Sequence, residues 1–393
     1  MFDSSHPLYV PILLPGDRDA FSDTGNWDAV LLSASYAVGS QGRSLCALAR
    51  ARSRLLLVDP KTACYQFEGY MSMEDLRSLS YSPGAGTLGA LWQPREFERQ
   101  ERRARLIAEV FGTQRALQAD MLLAPYFLVS QVDHPWLQIA SCTIREAVAR
   151  ETDRPVAGVV CVEIDTILQP GDLDSVLDAF TATTPAAWLV VVVNHDEREA
   201  SPQEMEAVVG LIRGLGGSGA PVIHAFAGRG GLVAAAAGAA GYAAGALELE
   251  AHPRRYLHEG LVNLHANGYY LQGCMTRLPV RLADAVVSVQ PDAWGSDEST
   301  VPITRLVSRR RIARALRSKR AEMEMLAAVA PESRQEHLRA RFEAALDTCR
   351  HAQRRVADAA GPEQLTTGIF HYLEVLREMV GGDAASIPHS AGF

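Results

Sequence analysis

The chain has 393 residues, 48% of them hydrophobic and 21% charged, with a formal net charge of -8. That balance excludes wholesale disorder and a surface coated with cations for nucleic acid, and the length provides for one large domain plus a smaller unit. The six cysteines, Cys46, Cys64, Cys142, Cys161, Cys274 and Cys349, include no CxxC or CxC pair, which argues against a zinc knuckle and for a reducing, cytoplasmic setting.

The N-terminal stretch MFDSSHPLYVPILLPGDRD has no basic region ahead of its apolar run, so it does not read as a signal peptide. Strands buried on both faces read as continuous apolar runs that alternate with amphipathic helices. In chain order these runs are LYVPILLPG (8–16), DAVLLSASY (28–36) and RLLLVDPKT (54–62), with the helix SLCALARARS between the last two. A long excursion over 62–93 follows, and its aromatics Tyr65, Phe67, Tyr70, Tyr81 and Trp92 predict an ordered lid over the mouth of the fold. Next come the helix FERQERRARLIAEVFGTQRALQ and the runs DMLLAPYFLVS (120–130), VAGVVCVEID (156–165) and AWLVVVVNHD (187–196). Helices WLQIASCTIREAVARE and DLDSVLDAFTA separate these runs. The helix SPQEMEAVVGLIRGLG, opened by Ser201, Pro202 and Glu204 as a capping box, leads to APVIHAFAG (220–228) and GYAAGALELE (241–250).

Eight strands with intervening helices predict a (β/α)8 TIM barrel over residues 1–255. An open doubly wound sheet would more often show a glycine-rich turn after its first strand, and LLPGDRDAF has no G-x-G-x-x-G. From 256 to 393 the pattern becomes helical and reads as a C-terminal appendage. The most apolar run, WLVVVV, is only strand-sized, so no membrane span is expected.

In such a barrel the reacting groups sit at the C-terminal ends of the strands. Asp59 and Lys61 end the third strand, Glu163 and Asp165 the fifth, His195 the sixth, and His224 lies on the seventh. Glu163 and Asp165 are two apart, so an extended strand would put both carboxylates on one face as an acid beside a base. The alternative is that one of them caps a helix or pairs with Lys61. A Schiff base at Lys61 would require burial to lower its pKa. His195, within a polar cluster, is a candidate for proton transfer, whereas His224 in an apolar run also reads as a core histidine. No HxH or HExxH spacing supports a metal site.

The stretch PVIHAFAGRGGLVAAAAGAAGYAAG, 221–245, covers the seventh and eighth strands, where barrels often bind phosphate at a short helix. Gly228, Gly230, Gly231 and Gly245 would bare main-chain amides to an anion, with Arg229 as a second anchor. The pattern resembles the phosphate site of barrels that hold flavin mononucleotide (FMN) or a sugar phosphate. Close packing of helix on strand explains the same glycines equally well.

The run RLVSRRRIARALRSKR, 305–320, carries eight Arg or Lys and no carboxylate. Arg309, Arg310, Arg311, Arg314, Arg317, Lys319 and Arg320 would form a nucleic-acid footprint, or else a solvated face. The order of Asp59, GTQRALQADMLLAP, PVIHAFAG and GAAGY resembles the tRNA-guanine transglycosylase barrel, in which the third-strand Asp acts on the purine. That family's DSGGFQ is DPKTACYQ here, its strand-8 nucleophilic Asp has no counterpart, and its zinc cluster is missing. The resemblance therefore implies altered or lost chemistry.

These expectations amount to a cytoplasmic barrel enzyme that acts on a phosphate-bearing small molecule, a nucleotide or sugar phosphate, by acid-base chemistry. The cofactor is left unknown, with FMN admitted and zinc argued against, and an oligomer is admitted. The alternatives are a transglycosylase-like or nucleic-acid-binding barrel and a non-enzymatic scaffold.

Overall fold

The computed structural model describes residues 2–83, 90–197, 200–246, 268–289, 308–360 and 377. Nine strands lie where the apolar runs predict them: β1 (Leu8–Leu13), β2 (Trp27–Ser33), β3 (Ser53–Asp59), β4 (Leu122–Leu123), β5 (Leu128–Val129), β6 (Val156–Glu163), β7 (Ala187–Val193), β8 (Val222–Ala225) and β9 (Gly241–Ala244). Their order is β3-β2-β1-β9-β8-β7-β6-β4, with β5 also on β6. All of these pairings are parallel. The two short pieces β4 and β5 are one barrel strand interrupted around Pro125, which has no N–H to give the ladder. The fold is thus a nearly closed barrel of eight parallel strands.

Its seam lies between β3 and β4, where a bridge from Leu57 to Met121 joins the ends of the sheet. Side chains replace the missing ladder on either side of it. The Asp120 carboxylate accepts from the Leu56 amide at 2.8 Å. The Gln114 side-chain amide donates to the Leu123 carbonyl and accepts from its N–H, both at 2.8 Å. Thr62 does the same for Tyr126, and Gln66 for Leu128. Buried main-chain groups demand partners, so these residues close the ring where the strands diverge.

The helices are α1 (Arg18–Ser22), α2 (Ala34–Val38), α3 (Ser40–Arg52), α4 (Glu74–Arg77), α5 (Pro94–Phe97), α6 (Gln100–Ala116), α7 (Trp136–Arg150), α8 (Pro170–Thr181), α9 (Pro202–Gly216) and α10 (Gly230–Ala236). The expected capping box opens α9: Ser201 Oγ accepts from the Glu204 amide, and the Glu204 carboxylate accepts from the Ser201 amide. The excursion over 62–93 is packed rather than loose. Tyr65, Tyr70, Tyr81 and Trp92 are buried, with Trp92 against Phe97 and Phe127. Tyr81 donates to the Pro60 carbonyl beside the end of β3. Residues 84–89 of this excursion lie outside the described residues.

Beyond β9 come a hairpin of β10 (Gly268–Leu271) and β11 (Thr276–Pro279), then α11 (Val280–Val289), α12 (Ser308–Ala327) and α13 (Arg334–Ala360). The helical region is not a free appendage. α12 packs on β1, α1 and α10, the outer position that a closing eighth helix would take. Residues 256–267 of this region lie outside the described residues.

Candidate functional site at the barrel mouth

Parallel strands place aligned residues on one face, and alternate residues on opposite faces. Tyr9, Tyr242, His224 and Val190 align with one another. This face looks outward, because a side chain added at Gly231 of α10 would collide with the Tyr242 ring. The opposite face carries Val10, Ala243, Ala225, Val191 and Cys161, and continues to Val193 and Glu163. It is the interior. Asp59, aligned with Ser33 at the end of β3, acts electrostatically on Cys161 across the interior and belongs to the same space.

There the sequence-predicted Asp59 and Lys61 meet. Lys61 Nζ is 3.1 Å from Asp59 Oδ2, while Asp59 Oδ1 accepts from the Lys61 amide at 2.9 Å and from the Tyr126 hydroxyl at 2.8 Å. Asp59 and Lys61 are 2% and 7% exposed, so this ion pair is essentially out of water. The Lys61 ammonium stands 4.2 Å from the centre of the Phe226 ring, a cation on a π face.

Burial alone would pull the Lys61 pKa down, but Asp59, aided by Cys64 and Tyr36, outweighs it and holds the ammonium above the usual lysine range. The pairing with Asp59 thus favours the ammonium over the neutral amine that a Schiff base requires. Burial also pushes the Cys64 thiol up, to about 12, and Tyr126 well above the usual phenol range.

Three residues at the mouth hold left-handed backbone: Lys61 (φ 55°), Asn194 (φ 61°) and Phe226 (φ 59°). They follow the ends of β3, β7 and β8. For lysine and phenylalanine this conformation is unfavourable, and such strain gathers where surrounding structure imposes a geometry.

The other candidate residues part company. Glu163 is buried on the interior face. Asp165 is exposed, because β6 ends at Glu163 and the chain turns into a 3-10 helix over Ile164–Ile167. The alternation that would have paired the two carboxylates stops there, and no such pair exists. His224 lies outside the barrel wall rather than in the mouth, and His195, just past the end of β7, acts on it electrostatically. His224 points outward from β8, and His195 lies near Glu204 of α9. Both are buried, and His195 Nδ1 and Nε2 and His224 Nδ1 have no hydrogen-bond partner. Burial, then the neighbouring His195, lowers His224 to about 3; burial lowers His195 as well, against Glu204 and Asp196. Both histidines are buried in the packing between strand and helix, His224 at 2% and His195 at 6% exposure.

The amides of Gly228 and Gly230 already hold an internal carboxylate. Glu197 Oε1 accepts from the Gly228 amide at 2.7 Å, and Oε2 from the Gly230 amide at 2.9 Å. Gly230 lacks a side chain because Glu197 and Met205 press against it, and Gly231 because Tyr242 does. Arg229 turns away: its Nε donates to the Met275 carbonyl at 3.0 Å, and its Nη1 is 2.9 Å from Glu322 of α12. The Gly245 carbonyl accepts from Lys319 at 2.7 Å. At this motif the fold places close packing against Gly230 and Gly231 and the Glu197 carboxylate on the Gly228 and Gly230 amides. Glu197 escaped the sequence reading, although an acidic residue in the loop beside bare amides is the signal that could have found it. Phe226 and Tyr126 complete the site through contacts distant in sequence.

The basic helix is likewise committed to the fold in large part. Lys319 and Arg314 are buried, the latter over the Tyr269 ring. Arg309 binds Asp23 with both a 2.7 Å and a 2.6 Å bond, and Arg320 binds Glu324 and the Asn26 carbonyl. Arg310 and Arg317 are exposed, Arg311 is half-buried, and the run is no continuous cationic face. No group of three or more metal-ligating side chains is found among the described residues, and no helix among them is long and apolar enough to cross a membrane.

No protein-family model matches the sequence, and no curated protein is significantly similar to it. Among solved structures, the chain is similar to a putative fructose-1,6-biphosphate aldolase from Coccidioides immitis, at 12% identity and a TM-score of 0.35, over 82% of this chain and 89% of that one. It is similar to a GH10 endoxylanase from a sugarcane soil metagenome, at 9% identity and a TM-score of 0.28, over 54% and 71% of the two chains. A third likeness is to the carboxyl transferase domain of Rhizobium etli pyruvate carboxylase, at 12% identity and a TM-score of 0.34, over 96% and 60%. Such distant likenesses carry no argument about activity, and the barrel stands on its own strand order.

Proposed function

We propose that this barrel is an enzyme that moves a proton on a small molecule bearing a carbonyl or anionic oxygen. The observation that carries the reading is the strained, water-excluded Asp59–Lys61 pair at the mouth, beneath Phe226. A charge held in a dry site stabilises developing negative charge far more than it would in water. Lys61 would polarise the substrate oxygen, Asp59, itself held by the Tyr126 hydroxyl, would fix the ammonium, and Glu163 on the same interior face would be the base. A phosphate on that substrate gains no support from Gly228 and Gly230, whose amides already hold Glu197.

The direct test is deuterium exchange in D2O, followed by proton NMR, on pyruvate, oxaloacetate and dihydroxyacetone phosphate. Wild type is expected to exchange the hydrogen next to a carbonyl faster than buffer. Lys61→Met is expected to lose at least about 100-fold, the scale of general acid-base catalysis, measured at a temperature where circular dichroism shows the variant folded, since stranding the Asp59 charge should also lower its Tm.

A second reading is a non-catalytic barrel that serves as a scaffold. It is favoured by the internal pairing of Glu197 with the glycine amides and of Arg229 with Glu322. Exchange at the buffer rate on every probe would support it against the first.

A further inference from the structure

All six cysteines are unpaired, and every one except Cys142 is buried. Two of them come together far from the mouth residues. Cys274 sits in the tight turn between β10 and β11, where the Met275 amide donates to the Gln272 carbonyl, and Cys349 lies within α13. The Cys349 thiol donates to the Cys274 main-chain carbonyl oxygen at 4.0 Å, 75 residues away in sequence, which sets the two residues side by side. Exposures of 1% and 6% leave no room for a bulky disulfide reagent such as glutathione, whereas a peroxide is little larger than water. The contact also has a structural consequence. Met275, next to Cys274, holds Arg229 through its carbonyl, and α13 packs on α10.

We infer that Cys274 and Cys349 form a dithiol site that hydrogen peroxide closes into a disulfide, tying α13 to the β10–β11 turn. In the first step one thiolate attacks a peroxide oxygen, the O–O bond breaks, and a sulfenic acid and hydroxide result. The sulfur of the second thiol then attacks the sulfenic sulfur, the S–O bond breaks, and the oxygen leaves as water with the remaining thiol proton. Two thiols and one peroxide give one disulfide and two waters. Hydrogen bonding with Cys274, and then burial, hold the Cys349 thiol well above the usual thiol range, so thiolate is scarce and the reaction is slow. The bond would close a long loop that contains α12, the kind of loop for which cross-linking constrains the unfolded chain most.

The test treats the full chain with hydrogen peroxide, then reads intact mass, a non-reducing peptide map and the unfolding temperature. A product two hydrogens lighter, a peptide joining Cys274 to Cys349, and a rise of several degrees in Tm that dithiothreitol reverses are expected. The cross-link should vanish in Cys349→Ser and in Cys274→Ser; where either fails to fold, the wild-type map decides alone. A bond from Cys64 to Cys161, oxygen added to Cys274 or Cys349 without a cross-link, or both thiols intact once the half-exposed Cys142 is consumed would overturn the inference.

Discussion

Single residues of this chain are held by what meets them from distant elements. Glu197 satisfies two buried amides, so Glu197→Ala should destabilise by about 1–3 kcal/mol for each donor left unpaired, read in urea titration. His224 carries a pH signature. Its pKa falls from an unfolded value near 6.5 to about 3 in the fold, so below about pH 6.5 the unfolded chain binds a proton that the folded one refuses. Stability is fully present above that pH and declines as the pH drops toward 3, by up to about 1.4 kcal/mol per unit for one histidine. His195 acts in the same direction. His224→Leu should therefore flatten the fall in Tm between pH 7 and pH 4, and an unchanged slope would show that the imidazole titrates normally.

At the scale of elements, the seam of the barrel and the ladder beside its first strand depend on different chemistry. Between β3 and β4 the amide side chains of Gln114 and Gln66 stand in for strand hydrogen bonds. Between β9 and β1 the strands approach so closely at Gly241 (φ 154°) that an added Cβ would collide with the Leu8 carbonyl oxygen. Backbone cannot rotate away as a side chain can. Gly241→Ala should accordingly cost about 1–3 kcal/mol or more, seen as a lowered Tm and faster hydrogen exchange along β1. The same change at Gly238 (φ 106°) meets nothing nearby, and its effect would come from backbone strain alone.

Over the whole molecule, the C-terminal helices complete the barrel instead of decorating it. α12 is fastened by Lys319 to the Gly245 carbonyl and by Glu322 to both Arg229 and the Tyr270 hydroxyl. Because Arg229 and Glu322 are both buried, losing one partner strands a charge in a dry interior. Glu322→Leu should cost about 3–5 kcal/mol, and the double change with Arg229→Met should recover much of that loss in a calorimetric double-mutant cycle. Recovery would show that the pair acts as a unit; additive losses would count against it.

Apolar runs, helix caps and the eightfold alternation are local properties, so the sequence by itself determined the strands, the capping box at Ser201 and the barrel class. It also brought Asp59 and Lys61 to one strand end. Which polar groups remained free was decided only by tertiary structure, because a partner such as Glu197 for Gly228, Glu322 for Arg229 or Gly245 for Lys319 is set by proximity in space. Asp165 shows the same limit at short range: the face it occupies depends on where β6 stops, and that depends on the packing of the turn beyond Glu163.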